Sequence, residues 1–353
     1  MPRFTVIHAD NPSVGRGCRG RTLSLFLKCF AGHRNVRDLK SSNLSRRRME
    51  SSDYLFIGIP TRLTSSQLSS FNARNVILFD YADCPEADWH DSDRKFLTSM
   101  TDRYFKPCVA NHWNPKVHWG CLPLRRNWKL TTELIKRRVR EKGKARIPEK
   151  KYNLGFMGFP TCLTEKYGAK HLQYPQRINW MKELAGQRDW TKWGGICSNT
   201  KWRKNLEQTH GDLSDIYVRN TRLPYRHYFK HLNRCQMVLT PAGNARWTYR
   251  HYEAVYTRSM MLSTDLSSYR LLIPLPKSNL VYVEDHASIL PFVSLAASLF
   301  NKNSELVLDA ERELERYLRN GQYSRQRPLV WERFESELSG AFENSTNRLR
   351  HAS

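Results

Sequence analysis

Four side chains in the stretch 235–265 have types and spacing suited to binding a phosphorylated ligand: Arg246, Thr248, Arg250 and Glu253. Arginine makes charge-assisted, often bidentate hydrogen bonds to phosphate oxygens. Arg250 and Glu253 are three residues apart, so a helix would place them on the same face. One could then meet a phosphate while the other accepts hydrogen bonds from sugar hydroxyls. The residue chemistry alone makes this stretch a candidate site for a sugar nucleotide or another phosphorylated ligand.

The surrounding sequence predicts the elements that would position these side chains. Apolar residues predict strands over Met237–Leu239 and Met260–Ser263, a turn containing Gly243 follows the first strand, and a helix spans about Thr248–Thr257. Strand, tight turn, helix and strand form the βαβ unit of a doubly wound sheet. The backbone N–H groups at a helix N-terminus favour anions, phosphate above all. We therefore expect the turn and the first helical turn to bind phosphate.

The first half of the chain contains three aspartates that follow predicted strands. The apolar segments that predict these strands are Phe4–His8, Tyr54–Ile59 and Val76–Asp80. In open parallel sheets, ligands bind beyond the carboxyl ends of the strands. Asp10, Asp80 and Asp83 are therefore candidate catalytic carboxylates. The alternative is that Asp80 and Asp83 cap turns or helices.

A glycine-rich loop follows the first predicted strand. Gly15, Gly17 and Gly20 match the pattern G-x-G-x-x-G of dinucleotide-binding folds. In those folds the first glycine follows the strand almost at once, whereas the residues HADNPS intervene here. Gly15, Arg16 and Gly17 are therefore a candidate phosphate loop, with a nicotinamide site and a plain surface turn as alternatives.

The chain has 353 residues and is strongly basic, with 58 Lys and Arg against 33 Asp and Glu and a net charge of +25. Such an excess attracts polyanions, namely nucleic acid, anionic membrane surfaces or phosphorylated small substrates, or forms a solvated surface. No RNA-binding signature or zinc-finger spacing accompanies the basic residues. We expect no specific nucleic-acid partner, and peripheral attraction to a membrane remains open.

Cysteine usage and the N-terminal sequence predict a cytoplasmic protein. The eight cysteines are scattered singly, which is typical of reduced thiols in a reducing compartment. The N-terminus has no signal-peptide core, and no apolar run approaches the ~18–20 residues of a membrane span.

His227 and His231 are spaced as zinc ligands can be, but no third ligand accompanies them. We expect neither a metal nor a cofactor.

Alternating strands and helices in both halves predict an α/β fold of two Rossmann-like domains. A charged segment with Gly143 and Pro148 marks the linker. The expected divisions are an N-terminal Rossmann-like domain, a basic helix and linker, a C-terminal Rossmann-like domain with the candidate ligand site, and C-terminal helices: 1–128, 129–150, 151–300 and 301–353.

The stretch 235–265 resembles a pattern in the C-terminal half of the exostosin-type glycosyltransferase family, and the resemblance covers roughly Lys151 to Phe300. That family has a strand, Pro-x-Gly, a few residues, Ser/Thr-x-Arg-x-x-Glu-Ala and a second strand. The matching positions are Pro241, Gly243, Thr248, Arg250, Glu253 and Ala254. The segment KYNLGFMGFPT, which contains Gly158, is similar to the family's first strand of the donor-binding domain. After the motif helix the family has a small Gly-Cys-x-Pro-Val step, whereas this sequence has Thr257–Met261.

The resemblance implies a GT-B fold, two Rossmann-like domains facing a cleft, and transfer of a sugar from a UDP- or GDP-sugar to a hydroxyl of a glycan. It also implies that residues 1–128 form the acceptor-side domain and that residues 151–300 bind the nucleotide sugar. By analogy Glu253 would hold the ribose hydroxyls, while Arg250 and Arg246 would hold the diphosphate. Gly158 and Gly243 would line the donor site, and Thr248 would donate to a phosphate oxygen.

The family's fold normally needs no metal, because arginines and the helix dipole neutralise the departing diphosphate. If the reaction inverts, Asp83, Asp80 or Asp10 would be the general base.

Several other interpretations stay open at the level of sequence. The chain could be a basic nucleic-acid-binding protein, or a nicotinamide-dependent oxidoreductase that uses the Gly15–Gly20 loop. Glu253 could form an ion pair with Arg250 or Arg258 on an exposed helix. Tyr252 could lie in the core or stack on a ligand.

Overall fold

The structure is a computed structural model. It describes residues 2–8, 23–24, 27–28, 31–40, 52–59, 73–80, 104–106, 108–110, 117–118, 141, 145–160, 176–197, 203, 206–208, 210–218, 223–242, 248, 250–267, 269–271, 274–318, 329, 331–336 and 338. The chain forms two compact units. The first contains residues 1–131, 268–274 and 316–353, and the second contains residues 132–267 and 275–315.

The first unit is built on a parallel sheet. Its strands are β1 (Phe4–His8), β2 (Val36–Lys40), β3 (Ser52–Ile59), β4 (Ala73–Asp80), β5 (Tyr104–Lys106) and β7 (Val117–His118). They lie in the order β2-β1-β3-β4-β5-β7, and the pairings are parallel. A separate antiparallel pair joins β6 (Cys108–Ala110) to β13 (Tyr269–Leu271).

The core of the first unit follows from the apolar content of its central strands. Phe4 and Phe56 are buried, and their rings contact Trp331 and Phe334 near the C-terminus. Because the central strands are covered by side chains from outside the sheet, they are continuous apolar runs rather than alternating ones.

The second unit is built on another parallel sheet. Its strands are β8 (Tyr152–Gly158), β9 (Lys192–Cys197), β10 (Tyr217–Val218), β11 (Cys235–Thr240), β12 (Met260–Thr264) and β14 (Leu280–Val283). Its helices are α1 (Gln176–Ala185), α2 (Tyr225–Leu232), α3 (Arg250–Tyr256), α4 (Leu290–Lys302) and α5 (Leu306–Leu318), of which residues 306–315 belong to this unit. The strand order is β10-β9-β8-β11-β12-β14, which is the 3-2-1-4-5-6 order of a Rossmann fold. The predicted α/β class with two parallel sheets is confirmed.

Every residue of β11 and of β12 is buried, because the strands lie in the middle of the sheet. Strand β9 contains Gly194 with φ of 88°, and a Cβ there would lie 1.8 Å from the Phe156 carbonyl oxygen. Only glycine fits this position, which brings β9 against β8.

The sequence predicts a loop over Asp215–Arg222, and it predicts that Asp285 caps a helix running to Phe300. The structure differs from both predictions. The predicted loop Asp215–Arg222 contains β10, which pairs in parallel with β9 through Tyr217 and Ile196. The helix expected directly after Asp285 begins only at Leu290. His286 has a positive φ of 67°, which a right-handed helix does not allow. The helix therefore cannot include this residue.

A tertiary contact replaces the predicted cap of α4. The carboxylate of Glu183 on α1 accepts hydrogen bonds from Ser288 Oγ at 2.7 Å and from the Ile289 backbone N–H at 2.9 Å. A carboxylate near a helix N-terminus accepts hydrogen bonds from backbone N–H groups that would otherwise be unpaired, and the helix dipole stabilises its negative charge. A residue distant in sequence therefore does what the sequence assigned to Asp285.

Arg258 ends α3 in a left-handed conformation, with φ of 53°, and its side chain is fully buried. Its guanidinium has five N–H donors, and each has an acceptor. Two donate to Glu141 at 2.9 and 3.1 Å, two donate to Glu311, and one donates to the Arg146 carbonyl. This arginine lies in the segment where the exostosin-type family has its small-residue step.

Lys150 anchors the segment before β8 to the ends of α2 and α3 through hydrogen bonds. Its ammonium donates to the Asn233 carbonyl at 3.2 Å, the Thr257 carbonyl at 2.9 Å and Ser259 Oγ at 3.2 Å. The first two carbonyls lie at the C-terminal ends of α2 and α3, where a cation is favourable.

Among the residues described, no helix combines the length and apolar character needed to cross a membrane.

Candidate active site

The candidate site lies at the carboxyl ends of β8, β11 and β12. The first and fourth strands of a Rossmann sheet are neighbours here, since β8 pairs with β11. The chain connections that leave these two strands run toward opposite edges of the sheet, and ligands bind in the crevice at such a switch point. The second unit therefore places its candidate side chains where the fold forms a ligand site.

Arg250, the first residue of α3, reaches across to the end of β8. Its Nη2 donates to the Met157 carbonyl at 2.7 Å, and its guanidinium carbon lies 4.5 Å from the centre of the Phe156 ring. A Cβ at Gly158 would lie 2.9 Å from Nη2, so a larger residue there would displace the guanidinium. Nη1 is buried and has no hydrogen-bond partner in the part of the chain that the structure describes. Phe156 and the Met157 carbonyl thus hold Arg250 in place, while its Nη1 is paired with none of the described residues.

Glu253 lies one helical turn after Arg250 and is 4% exposed. Its Oε1 accepts a hydrogen bond from the Tyr225 hydroxyl at 3.1 Å, and its Oε2 accepts one from the Tyr228 hydroxyl at 2.8 Å. The described contacts include no ion pair between Glu253 and either Arg250 or Arg258. The interpretation of Glu253 as one half of an exposed surface ion pair is therefore wrong.

Sequence reasoning did not identify Tyr225 and Tyr228. Both lie at the start of α2, three residues apart and on one face, directly after Pro224. The signal in the sequence is a helix that begins with two tyrosines just before β11. His231, which was considered as a zinc ligand, instead stacks on Trp193 with ring centres 5.2 Å apart.

His251 lies inside the site's helix and links it to β12. Nδ1 lies 3.0 Å from the Thr248 backbone nitrogen and 2.8 Å from the Thr248 carbonyl oxygen. Nε2 lies 2.9 Å from Ser263 Oγ, and that hydroxyl donates to the Thr264 carbonyl at 2.7 Å. The ring is thus held through both of its nitrogens. Burial lowers the pKa of His251 to about 4, which keeps the ring neutral at neutral pH. Thr248 is thereby held at the start of α3.

We expect the buried His251 to make folding sensitive to mild acid. Between its ordinary pKa of 6.5 and its folded pKa of about 4, the unfolded chain binds a proton that the folded protein does not. Stability therefore falls as the pH drops through this window, by roughly 1 kcal/mol per pH unit. Urea unfolding between pH 7 and pH 4 should show a smaller loss in His251→Gln than in the wild type. His227→Gln, at an exposed position on α2, is the matched control, and an equal slope for His251→Gln and the wild type would contradict the prediction.

A polar cluster closes the ends of β11 and β12. Gln176, 6% exposed at the start of α1, accepts hydrogen bonds through Oε1 from the Ala242 N–H at 3.0 Å and from Thr264 Oγ1 at 2.5 Å. The next residue, Arg177, donates to the Phe159 carbonyl at 2.7 Å. The N-terminus of α1 therefore fixes the backbone on both sides of the switch point.

The structure brings together four predicted site residues: Gly158, Thr248, Arg250 and Glu253. Asp80 is the last residue of β4, at the carboxyl end of the first sheet. The other predicted site residues lie outside the described residues: Asp10, Gly15, Arg16, Gly17, Asp83, Gly243 and Arg246.

Tyr252 is 1% exposed and belongs to the core. Within the described ranges, no group of three or more His, Cys, Asp and Glu side chains is arranged to hold a metal ion.

Comparison with known proteins identifies the fold. No protein-family model matches the sequence, and no curated protein matches it by sequence. Among solved structures, the glycosyltransferase from Rickettsia africae ESF-5 is similar with a TM-score of 0.52 and 8% identity, over 96% of this chain and 99% of that one. Anabaena HepE in complex with UDP is similar with a TM-score of 0.53 and 9% identity, over 96% of this chain and 100% of that one. The chain has the GT-B fold of these glycosyltransferases.

Proposed function

We propose that the protein is a glycosyltransferase that transfers a sugar from a UDP- or GDP-sugar to a hydroxyl of a glycan acceptor. One observation carries the proposal. At the switch point of the second sheet, Arg250 Nη1 has no hydrogen-bond partner among the described residues, and Arg250 lies on the same helix as the buried carboxylate of Glu253. A cation and a hydrogen-bond acceptor one helical turn apart match the diphosphate and the ribose of a nucleoside diphosphate. The solved structure of HepE with UDP, which has the same fold, supports this assignment.

In this proposal the protein contributes electrostatic stabilisation of the leaving group. Negative charge grows on the diphosphate as the sugar departs, and a fixed guanidinium at Arg250, aided by Arg246, offsets that charge. Arg250 is pre-organised for the task, because Phe156 and the Met157 carbonyl hold it before any ligand binds. Such neutralisation supports a metal-independent reaction.

The remaining parts of the proposal rest on sequence. The motif in 241–254 supports an exostosin-like donor site, with Gly158, Gly243 and Thr248 beside the diphosphate. An inverting reaction needs a general base for the acceptor hydroxyl, and Asp83, Asp80 and Asp10 remain the candidates. The free thiols of Cys197 and Cys235 accord with a cytoplasmic location.

Thermal unfolding with a set of nucleotides tests the proposal. A ligand that binds only the folded state raises stability, by about 2.7 kcal/mol when its concentration is 100 times Kd. We expect UDP or GDP at millimolar concentration to raise the Tm, and the matching nucleotide sugar to be hydrolysed slowly. NADH is the control dinucleotide. If neither nucleoside diphosphate raises the Tm, the proposed function is wrong.

A further inference from the structure

A pair of tyrosines on α2 holds the Glu253 carboxylate from one side. The Tyr225 hydroxyl donates to Oε1 and the Tyr228 hydroxyl donates to Oε2, so each oxygen receives one hydrogen bond. Tyr228 is held by its neighbours as well, because its ring lies 5.9 Å from those of both Tyr225 and Trp193. The carboxylate therefore cannot rotate without losing two hydrogen bonds.

This arrangement determines which acceptor positions remain on Glu253. An ionised carboxylate has about four lone-pair sites, two on each oxygen. The two tyrosines occupy one site on each oxygen. Among the contacts of the described residues, one acceptor site per oxygen is left, and the two oxygens of a carboxylate are spaced to accept from two neighbouring hydroxyl groups.

Tyr228 also connects the carboxylate to the cation of the site. Its oxygen accepts from Arg250 Nε at 3.4 Å while its proton goes to Glu253 Oε2. Burial and the nearby Glu253 carboxylate raise the pKa of Tyr228, so the hydroxyl keeps its proton and remains a donor. Tyr228 thus orients both Arg250, which is suited to phosphate, and Glu253, which is suited to sugar hydroxyls.

We propose that Tyr225 and Tyr228 are positioning residues that make Glu253 selective for a ligand with two vicinal hydroxyls, as in ribose rather than 2′-deoxyribose. The inference rests on the proposed function and goes beyond it, because it assigns the discrimination between ribonucleotides and deoxyribonucleotides to residues outside the motif helix. A fixed carboxylate accepts from both hydroxyls at once, whereas a rotating one can turn to satisfy a single hydroxyl.

Binding of paired nucleotides by calorimetry tests the inference. The probes are UDP with 2′-deoxy-UDP and GDP with 2′-deoxy-GDP. We expect the wild type to prefer the ribonucleotide by roughly 10- to 100-fold, the value of one hydrogen bond to a charged group. Tyr228→Phe and Tyr225→Phe keep the ring and remove only the hydroxyl, and each should reduce this preference by roughly threefold or more. The double variant should approach equal affinities.

The control variant is Tyr217→Phe, which also removes a buried hydroxyl from the second unit. That hydroxyl has no hydrogen-bond partner among the described residues, so its loss should leave the preference unchanged. A merely structural role of the tyrosines would weaken both nucleotides of a pair equally. An unchanged preference in both single variants and in the double variant would therefore overturn the inference while leaving the proposed function intact. If the wild type binds neither ribonucleotide, the proposed function fails and the inference fails with it.

Discussion

Replacing Arg250 by alanine is expected to weaken UDP or GDP binding by roughly 10- to 100-fold, since a hydrogen bond to a charged group contributes about 1.5–3 kcal/mol. The guanidinium is positioned by Phe156 and the Met157 carbonyl, and its Nη1 has no protein partner in the described part of the chain. A phosphate oxygen would supply that partner. Calorimetric titration of the variant and the wild type measures the effect directly.

Two further variants separate the charge of Arg250 from its shape. Arg250→Lys keeps the positive charge but loses the planar fork of donors, so we expect it to recover only part of the affinity. Arg312→Ala removes the same charge from a site on α5 where the side chain is 57% exposed, and it should leave binding unchanged. Wild-type affinity in Arg250→Ala would contradict a phosphate-binding role for this residue.

Replacing Arg258 by alanine is expected to cost about 3–5 kcal/mol of folding stability, because it leaves buried carboxylates without their cation. Glu311 is 2% exposed and Glu141 is 16% exposed, and both carboxylates accept from the same guanidinium. Urea unfolding gives the loss directly. If Arg258→Ala does not fold, Glu141→Gln provides a milder test, with an expected loss of roughly 1–3 kcal/mol.

A double-mutant cycle distinguishes the ion pair from other effects of the substitution. Arg258→Ala combined with Glu311→Gln should be less damaging than the sum of the single changes, because the unpaired charge is gone. Arg312→Ala is again the control, since exposed ion pairs such as Arg312–Asp309 contribute about 0–1 kcal/mol. A loss for Arg258→Ala no greater than that of Arg312→Ala would contradict the assignment.

The sequence by itself determined the strand-turn-helix-strand unit of the site and the shared face of Arg250 and Glu253. Strands β11 and β12 are predictable because buried parallel strands are continuous apolar runs. The shared helical face is predictable because it depends only on a spacing of three residues. These features are local, so the periodicity of the chain is enough to reveal them.

The tertiary structure decided what those side chains contact. Glu253 is bonded to Tyr225 and Tyr228, which come from another helix, and Arg258 is bonded to Glu141 and Glu311, which are more than 50 residues away. No spacing in the sequence predicts such partners, because they depend on how helices are placed against the sheet.

The two wrong element predictions have the same cause. Strand β10 forms because β9 offers it an edge to pair with. Tyr217 and Val218 are residue types that favour strands, but a run of two residues is too short for its pattern to predict one. Helix α4 starts late because Glu183 on α1 caps it after a residue with positive φ. Local sequence patterns specify which segments can become strands and helices, whereas long-range hydrogen bonds and packing decide where these elements end and which side chains meet in the site.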